Sequence, residues 1–272
     1  MSDPLFDLAG RVVVITGGLG QLGSALTVAL AERGANVAIV DREVVPSDSE
    51  PTLAGLLDSG TVHLVHGDVT ERASIEGALA AIEADWGVPH VLVNAAAIDA
   101  PPDAPAEEVG PFEAVPAAAL GRVLDVNIGG VVTCCQVFGG AMARAGRGSI
   151  VNISSIYGML SPDQRIYDFR REAGEEFVKP VAYSVSKSAL YNLTRYLATY
   201  WAKSGVRVNT LTLAGVSNEQ PKEFVDAYTA RMPLGRMAEV REVVGPVVFL
   251  ASDASSYVTG ANVVVDGGWS AW

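Results

Sequence analysis

The sequence has few basic residues and no cluster of them. Its 272 residues include 19 Lys and Arg but 31 Asp and Glu, which gives a formal net charge of −12. Nucleic acids and anionic membranes are bound through basic patches, so neither is an expected partner. The composition therefore argues against both of these binding functions.

Cysteine and histidine are equally scarce. The two cysteines, Cys134 and Cys135, are adjacent in a predicted helix, where neighbouring side chains point in different directions. We interpret them as reduced core residues. The three histidines, His63, His66 and His90, lie in or beside predicted strands and lack metal-ligand partners. The sequence therefore predicts no redox or metal site.

Long apolar runs are absent as well. Segments such as 11–15 have the length of a strand and end at Thr-Gly, so no segment is expected to span a bilayer. The first four residues lack the basic and apolar regions of a signal peptide, which predicts a cytoplasmic protein. With 49% hydrophobic and 18% charged residues, the chain is expected to form one compact domain over 1–272.

What the sequence does contain is a regular alternation of strand and helix patterns. Strands are predicted near 11–16, 36–41, 61–66, 90–94, 148–154, 206–212 and 262–265. Helices are predicted over most of 20–33, 71–86, 117–144, 181–203, 222–230 and 239–251. This alternation predicts an α/β fold, a doubly wound parallel sheet of about seven strands with helices on both faces. Two stretches are irregular, a predicted solvated loop at 99–116 and a segment at 157–180.

A glycine-rich turn follows the first predicted strand and opens a helix. Residues 18–23 read Gly-Leu-Gly-Gln-Leu-Gly, which is the G-x-G-x-x-G spacing. Glycines allow the backbone to turn tightly and approach a pyrophosphate, whose charge is stabilised at a helix N-terminus. The candidate dinucleotide-binding residues of this turn are Gly17, Gly18, Gly20, Gln21, Leu22 and Gly23.

An acidic residue ends the second predicted strand. Asp41 lies about twenty residues beyond the glycine-rich turn, the offset expected of a residue that binds the adenosine ribose. Its carboxylate would accept hydrogen bonds from the ribose hydroxyls and would repel a 2′-phosphate. Arg42 follows directly and could soften that repulsion. The pattern favours NAD over NADP as the cofactor.

Tyr183 and Lys187 are four residues apart in a predicted helix. Residues at this spacing share a face, so the phenol and the ammonium can converge on one site. A free tyrosine ionises near roughly pH 10 and is a poor base at neutral pH. A nearby cation lowers the phenol pKa, as general acid–base catalysis requires. We therefore predict that this pair is an acid–base site.

Further motifs accompany these features in a fixed order. They are Gly67-Asp68-Val69, Asn94-Ala95-Ala96-Ala97, Val126-Asn127-Ile128-Gly129, Ile153-Ser154-Ser155 and Val265-Asp266-Gly267-Gly268. Taken together, the motifs resemble those of the short-chain dehydrogenase/reductase family, and the resemblance extends from Leu8 to Gly268. It implies a Rossmann-like fold and an NAD(P)-dependent enzyme that acts on CH–OH groups.

The resemblance implies roles for the residues at matching positions. Tyr183 resembles the acid–base residue, and Lys187 the residue that binds the nicotinamide ribose and lowers the tyrosine pKa. Ser155 matches the hydroxyl that holds the substrate oxygen, and Asn127 the helix residue that positions a water for proton relay. The other implied cofactor contacts are Asp68, Val69, Asn94, Ala95, Ala96 and Val216.

The sequence departs from the family pattern in its loops. Gln21 and Ala97 replace glycines, Ala95 replaces an asparagine, and Leu213-Ala214 replaces a Pro-Gly pair. The glycine spacing also fits a sugar-nucleotide epimerase or dehydratase, although those enzymes carry a larger carboxyl-terminal domain. A catalytically silent NAD-binding regulatory protein is a third alternative, which the four retained catalytic residues argue against. The leading prediction is an NAD-dependent enzyme that interconverts a secondary alcohol and a ketone.

An insertion separates two of the predicted catalytic residues. Ser155 and Tyr183 are 28 positions apart, whereas the family separates the matching residues by about a dozen. The additional residues, a substrate-loop insertion at about 157–180, are expected to fall beside the reacting carbon. Their polar character predicts a sugar or another polyhydroxylated substrate and disfavours a steroid or fatty chain.

Three polar residues of the insertion are candidate substrate contacts, namely Gln164, Arg165 and Arg170. Replacing either arginine with alanine is then expected to raise KM for the substrate. In the alternative, glutamates such as Glu175 pair with these arginines in a solvated surface loop.

The resemblance also implies a homotetramer. Pairing would use the helices at 117–144 and 181–203 and the strand near 262–265. The sequence supports this because four aromatic residues crowd the second of these helices. They are Tyr191, Tyr196, Tyr200 and Trp201. Packing in the core is the alternative for each of them.

Overall fold

A computed structural model describes residues 3–44, 51–99 and 110–272. Seven parallel strands form one sheet in the order β3-β2-β1-β4-β5-β6-β7. They are β1 (Val12–Thr16), β2 (Asn36–Asp41), β3 (Val62–His66), β4 (Val91–Asn94), β5 (Gly148–Ser155), β6 (Val206–Leu213) and β7 (Asn262–Val265).

Helices connect the strands and cover both faces of the sheet. They are α1 (Gln21–Ala31), α2 (Pro51–Asp58), α3 (Arg72–Trp86), α4 (Ala117–Arg144), α5 (Ile156–Met159), α6 (Asp168–Glu172), α7 (Val181–Trp201), α8 (Lys222–Thr229) and α9 (Arg241–Ala251). Short 3-10 helices lie at Pro4–Phe6, Phe112–Ala114, Gln164–Tyr167, Ala202–Ser204, Asp253–Ser255 and Trp269–Ala271. This architecture confirms the predicted doubly wound α/β fold.

The strands are apolar because helices cover both of their faces. All five residues of β1 are buried. On one face the core includes Phe138 of α4 and Leu190 of α7, and on the other it includes Leu26 of α1 and Val247 of α9. The two cysteines belong to the first of these cores, and burial raises the pKa of both thiols.

Helix α4 is long and apolar enough, by length and composition only, to cross a membrane, a feature that the sequence analysis did not identify. However, 56% of its most apolar window is buried inside the protein. Val131, Phe138 and Met142 of this helix pack in the core against the sheet. Two π-helical turns, at Asp125–Gly130 and Cys135–Gly139, interrupt its regular geometry. Its length and composition are therefore weak grounds for a membrane span.

The strand order determines where a ligand can bind. Strand β1 pairs with β2 on one side and with β4 on the other. At such a switch point the loops after the two strands separate and leave a crevice at their carboxyl ends. The segments that follow Thr16, Asp41, Asn94, Ser155 and Leu213 therefore meet at one edge of the sheet.

The irregular stretches contain more structure than the sequence predicted. Helix α2 was not predicted, and residues 100–109 of the predicted loop at 99–116 lie outside the described residues. The segment at 157–180 holds α5, α6 and a 3-10 helix. A third apolar cluster ties this segment to α8. Within it the ring centroid of Tyr167 lies 4.9 Å from that of Phe177 and 5.6 Å from that of Phe224.

Candidate active site

A cleft of about 1390 Å³ opens at the carboxyl ends of the strands. Its lining includes Gly17 and Asp41, which follow or end β1 and β2. It also includes Ser155 at the end of β5 and Tyr183 and Lys187 in the first turns of α7. Residues predicted for cofactor binding and for acid–base chemistry thus line one cavity.

Two positions in the glycine-rich turn leave no room for a side chain. Gly17 has a φ of +66°, and a Cβ there would lie 2.7 Å from the Ala96 Cα. A Cβ on Gly23 would lie 2.4 Å from the Gly17 carbonyl oxygen. Of the predicted turn residues, Gly17, Gly20, Gln21, Leu22 and Gly23 line the cleft, whereas Gly18 packs against Ile39.

Gln21, which replaces a glycine of the family pattern, makes a contact of its own. Its Nε2 donates a hydrogen bond of 2.6 Å to the Ser217 carbonyl. This bond joins the glycine-rich turn to the loop after β6, where Val216 lines the cleft. The departure at Gln21 therefore changes how the two loops are connected.

Asp41 ends β2 with its carboxylate at the cleft. Its Oδ2 accepts the Leu19 N–H at 3.2 Å, which fixes the carboxylate beside the glycine-rich turn. Arg42, Asp68 and Val69 also line the cleft. Their contact with the adenosine end of a dinucleotide stays a prediction. A carboxylate in this place can accept ribose hydroxyls and repels a phosphate.

The residues after β4 divide between the cleft and the core. Ala95 and Ala96 line the cleft, and each backbone N–H donates to the Thr16 Oγ1 at 3.2 Å. Asn94 is buried instead, and its Nδ2 donates to the Asn152 Oδ1 at 2.8 Å. The predicted cofactor contact of the Asn94 side chain is therefore corrected, because its amide bonds the neighbouring strand inside the sheet.

Ser155, Tyr183 and Lys187 come together where β5 ends beside α7. The Ser155 side chain lies close enough to the Tyr183 phenol to lower its pKa. Lys187 Nζ lies 5.7 Å from the Tyr183 ring centroid and donates to the Ile153 carbonyl at 3.0 Å. Ser154 is buried and donates to the Lys187 carbonyl at 2.9 Å. Ser155, and not Ser154, is therefore the serine that meets the phenol.

Burial dominates the ionisation of this group. It raises the pKa of the Tyr183 phenol, while the neighbouring Ser155 side chain acts in the opposite direction. Burial also lowers the pKa of the Lys187 ammonium to about 8. The sequence analysis predicted a phenol pKa lowered by the Lys187 charge. In the structure the pKa is raised instead, because burial desolvates the phenolate.

Asn127 lies in a π-helical turn of α4 and is fully buried, away from the cleft lining. Its Oδ1 accepts the Ile98 N–H at 2.8 Å, and its Nδ2 donates to the Ile98 carbonyl at 2.9 Å and to the Ser186 Oγ at 3.0 Å. These contacts position the loop after β4. The predicted proton relay through Lys187 stays a prediction.

The predicted arginine contacts are corrected, because neither arginine lines the cleft. The Arg165 side chain is 73% exposed and pairs with Asp163 at 2.7 Å. Arg170 is buried, forms an ion pair with Glu175, and lies 4.5 Å from the Phe177 ring centroid. Carboxylates close in sequence thus engage both guanidinium groups. Of the alternative interpretation, the pairing of Arg170 with Glu175 is confirmed, but Arg170 is buried and not in a solvated loop. We no longer expect alanine at either position to act through a substrate contact.

Gln164 is also placed outside the cleft lining. Its Oε1 accepts the Lys179 N–H at 2.9 Å, and its Nε2 donates to the Lys179 carbonyl at 3.3 Å. The segment at 157–180 reaches the cleft through other residues, namely Tyr157, Tyr167 and Lys179. The insertion does contribute to the site, but not with the side chains predicted.

Other residues of this wall were missed by the sequence analysis. They include Asp99, Phe224, Tyr228 and Met237. Asp99 and Tyr157 follow the carboxyl ends of β4 and β5 within a few residues, and this position could have identified them. Lys179 and Tyr228 carry no such signal, because tertiary packing brings them to the cleft from distant segments.

The two ends of the cleft fit a nicotinamide dinucleotide and an alcohol. The glycine-rich turn, which lines the cleft at the N-terminus of α1, suits a pyrophosphate. Ser155 and Tyr183 can hold and protonate an oxygen at the other end. In 3–44, 51–99 and 110–272, no three His, Cys, Asp or Glu side chains gather as a metal site requires.

Comparison with known proteins gives several matches over the length of the chain. Residues 20–270 match the model of a family described as enoyl-(acyl carrier protein) reductase. Galactitol 2-dehydrogenase from Rhizobium johnstonii is 36% identical over 274 residues, which cover 98% of each chain.

Two solved structures share the fold over nearly the whole chain. A short-chain dehydrogenase from Leptospira borgpetersenii with bound NAD⁺ is 30% identical, with a TM-score of 0.84 and coverage of 99% of this chain and 96% of that one. A gluconate 5-dehydrogenase from Burkholderia cenocepacia in complex with NADP and tartrate is 29% identical, with a TM-score of 0.82 and coverage of 99% and 98%.

Proposed function

Because the chain belongs to the short-chain dehydrogenase/reductase family, we propose that it interconverts a secondary alcohol and a ketone on a polyhydroxylated substrate, with NAD as cofactor. One observation carries the proposal. Ser155, Tyr183 and Lys187 line the same cleft as the glycine-rich turn and Asp41. Hydride transfer requires a proton-transfer site and a dinucleotide site in one cavity.

Each side chain at the reacting centre has a distinct task in this reaction. Bound NAD supplies the hydride acceptor and a positive charge. The Ser155 hydroxyl holds the substrate oxygen, and Tyr183 accepts or donates the proton of that oxygen. The Lys187 ammonium favours the ionised phenol through its charge. Ser155 and Tyr183 must therefore both contact the carbinol oxygen.

The composition of the cleft wall supports a polyhydroxylated substrate. Tyr157, Tyr167 and Tyr228 are among its lining residues, and Asp99 contributes a partly exposed carboxylate. Such groups recognise the hydroxyls of a sugar or polyol, whereas a steroid or a fatty chain needs a mostly apolar wall. Relatives named galactitol 2-dehydrogenase and gluconate 5-dehydrogenase support the same substrate class.

The choice of NAD rests on Asp41. Its carboxylate lies beside the glycine-rich turn, where it would repel a 2′-phosphate. Among the similar solved structures one holds NAD⁺ and another holds NADP, so this preference is argued from Asp41 alone.

A substrate panel tests the proposed function. Alditols, aldonates, steroid alcohols and aliphatic alcohols are offered with NAD or NADP, and NAD(P)H absorbance is followed. We expect turnover of at least one alditol or aldonate with a kcat/KM of about 10⁴ M⁻¹s⁻¹ or higher. Protein carrying Ser155→Ala, purified in the same way, controls for contaminating dehydrogenases.

Other outcomes of the panel would contradict the proposal. Preference for hydrophobic alcohols would exclude the polyhydroxylated substrate. Conversion of a sugar nucleotide without net change in NADH would favour the epimerase. Tight NAD binding without turnover of any compound would favour the regulatory protein.

We further propose that the enzyme is a cytoplasmic homotetramer, paired through α4, α7 and β7. Tyr196 and Tyr200 of α7 are 62% and 66% exposed, and their rings stack with centroids 6.0 Å apart. Exposed stacked aromatic rings favour burial against another subunit. Trp201 packs in the core instead, and the Tyr191 hydroxyl donates to the Ser155 carbonyl at 3.0 Å, so these two serve the fold.

Light scattering should therefore give a mass near four times the 28.4 kDa chain at micromolar concentration. The double substitution Tyr196→Glu and Tyr200→Glu should reduce the mass, because burying two carboxylates in an apolar interface is costly. The matched change Tyr257→Glu, at a fully exposed residue outside α4, α7 and β7, should leave it unchanged. A monomer before any substitution would contradict this proposal.

A further inference from the structure

An ion pair between Lys179 and Asp99 lies beside the reacting centre. Lys179 Nζ is 2.8 and 2.7 Å from the two Asp99 carboxylate oxygens and 5.2 Å from the Tyr183 ring centroid. Both residues line the cleft. The proposed proton and hydride transfers use neither of them, so the pair needs a separate explanation.

The two partners differ in exposure. The Lys179 side chain is 3% exposed, whereas that of Asp99 is 37% exposed. The carboxylate is therefore the member of the pair that a ligand in the cleft can contact. An ionised carboxylate accepts hydrogen bonds and donates none. The cleft thus presents an anionic acceptor close to Tyr183.

Two amide side chains hold the backbone on either side of this pair. Asn127 bonds both the N–H and the carbonyl of Ile98, which directly precedes Asp99. Gln164 bonds both the N–H and the carbonyl of Lys179. The members of the pair are 80 residues apart in sequence. This support fixes the Asp99 carboxylate in place at the cleft.

The negative charge of Asp99 acts on the catalytic side chains. Burial is the main cause of the raised pKa of Tyr183, and the Asp99 charge raises it further. Burial lowers the pKa of Lys187 to about 8, and the Asp99 charge opposes that effect. Burial also raises the pKa values of Tyr157 and Tyr167, and Asp99 again adds to the shift. The Lys179 ammonium offsets part of this charge, but it is buried behind the carboxylate. An anionic substrate group at the exposed Asp99 oxygens would therefore be repelled.

We infer that Asp99 is a specificity-determining residue, which accepts hydrogen bonds from substrate hydroxyls next to the reacting carbon and disfavours substrates that carry a carboxylate there. The inference rests on the proposed function and narrows it to neutral polyols and their ketones. A hydroxyl donating to a carboxylate forms a charge-assisted hydrogen bond, which is about twice as strong as a neutral one. Attraction of hydroxyls and repulsion of carboxylates both contribute to the selection.

Steady-state kinetics of Asp99→Asn test this inference. The substrates are the alditol that the unmutated enzyme turns over fastest and the aldonate of the same configuration, which differs in one terminal group. Asparagine keeps the shape and removes the charge. The ratio of kcat/KM for alditol over aldonate should fall at least about tenfold, with KM for NAD unchanged.

Asp168→Asn is the matched control. Asp168 pairs with Arg171 within the segment at 157–180 and does not line the cleft. The ratio of kcat/KM for alditol over aldonate should therefore stay as in the unmutated enzyme. If kcat/KM of Asp99→Asn fell equally for the alditol and the aldonate, the ion pair would only hold two segments together, and the inference would be overturned. An unchanged ratio would overturn it as well.

Unpairing the buried ammonium of Lys179 can lower the melting temperature of Asp99→Asn. The double substitution Asp99→Asn with Lys179→Met removes both charges, and we expect from it the same fall in the ratio of kcat/KM for alditol over aldonate.

If the unmutated enzyme turns over neither an alditol nor an aldonate, the proposed function fails. If it turns over both and no variant shifts the ratio, only the inference about Asp99 fails.

Discussion

Replacing Tyr183 with phenylalanine should abolish turnover and leave cofactor binding nearly intact. The phenyl ring can still pack near Lys179 and Lys187, but the hydroxyl that moves the proton is lost. A positioned acid–base group contributes about 10²- to 10⁴-fold to a rate, so kcat should fall at least about 100-fold. Initial rates at saturating alditol and NAD, with NADH binding followed by fluorescence, measure both quantities.

Tyr257→Phe is the control for this substitution. The Tyr257 side chain is fully exposed and away from the cleft, so loss of its hydroxyl should not change the rate. If Tyr183→Phe keeps more than about a tenth of the turnover, a loss below ~1.4 kcal/mol, the acid–base assignment is wrong.

Asp41→Ala should weaken the preference for NAD over NADP. Removing the carboxylate takes away the acceptor for the ribose hydroxyls and the repulsion of a 2′-phosphate, while Arg42 remains beside the site. We expect the ratio of kcat/KM for the two cofactors to fall by roughly 10- to 100-fold, since each charged contact contributes about 1.5–3 kcal/mol. Initial rates with each cofactor at fixed substrate give the ratio.

Asp85→Ala removes another acidic side chain and serves as the comparison. Asp85 pairs with His63 outside the cleft lining, so the ratio of kcat/KM for NAD over NADP should not change. Equal or better use of NADP by the unmutated protein would contradict the assignment of Asp41 as the discriminating residue.

Features that depend on local pattern were predictable from the sequence. Residues close together in the chain form the apolar runs of β1 and β5 and the helical spacing of α7. The positions of these three elements could therefore be predicted from the sequence pattern. The same holds for the turn at Gly17, where steric crowding permits only glycine. The family resemblance then brought Ser155, Tyr183 and Lys187 into one expected site, and all three line the cleft.

Features that depend on distant contacts were not predictable. Composition indicated a solvated loop from residue 99 onward. Lys179, 80 residues away in sequence, instead binds the Asp99 carboxylate and holds that side chain at the cleft. Arg170 was expected at the substrate because it is polar and lies in the insertion. Its partner Glu175 and the Phe177 ring instead bury it within the segment. Polarity alone does not tell whether a charged side chain faces a ligand or a neighbour.

The third apolar cluster has a consequence for how this enzyme can change. Its members, among them Tyr157, Tyr167 and Tyr228, are separate from the two cores that enclose the sheet. The sheet carries Ser155 and the glycine-rich turn, and α7 carries Tyr183 and Lys187. Tyr183, however, packs against the cluster. Mutations in the cluster can therefore alter substrate range and the surroundings of the acid–base residue together. Selection on substrate choice through this cluster, in nature or in directed evolution, therefore also acts on catalysis.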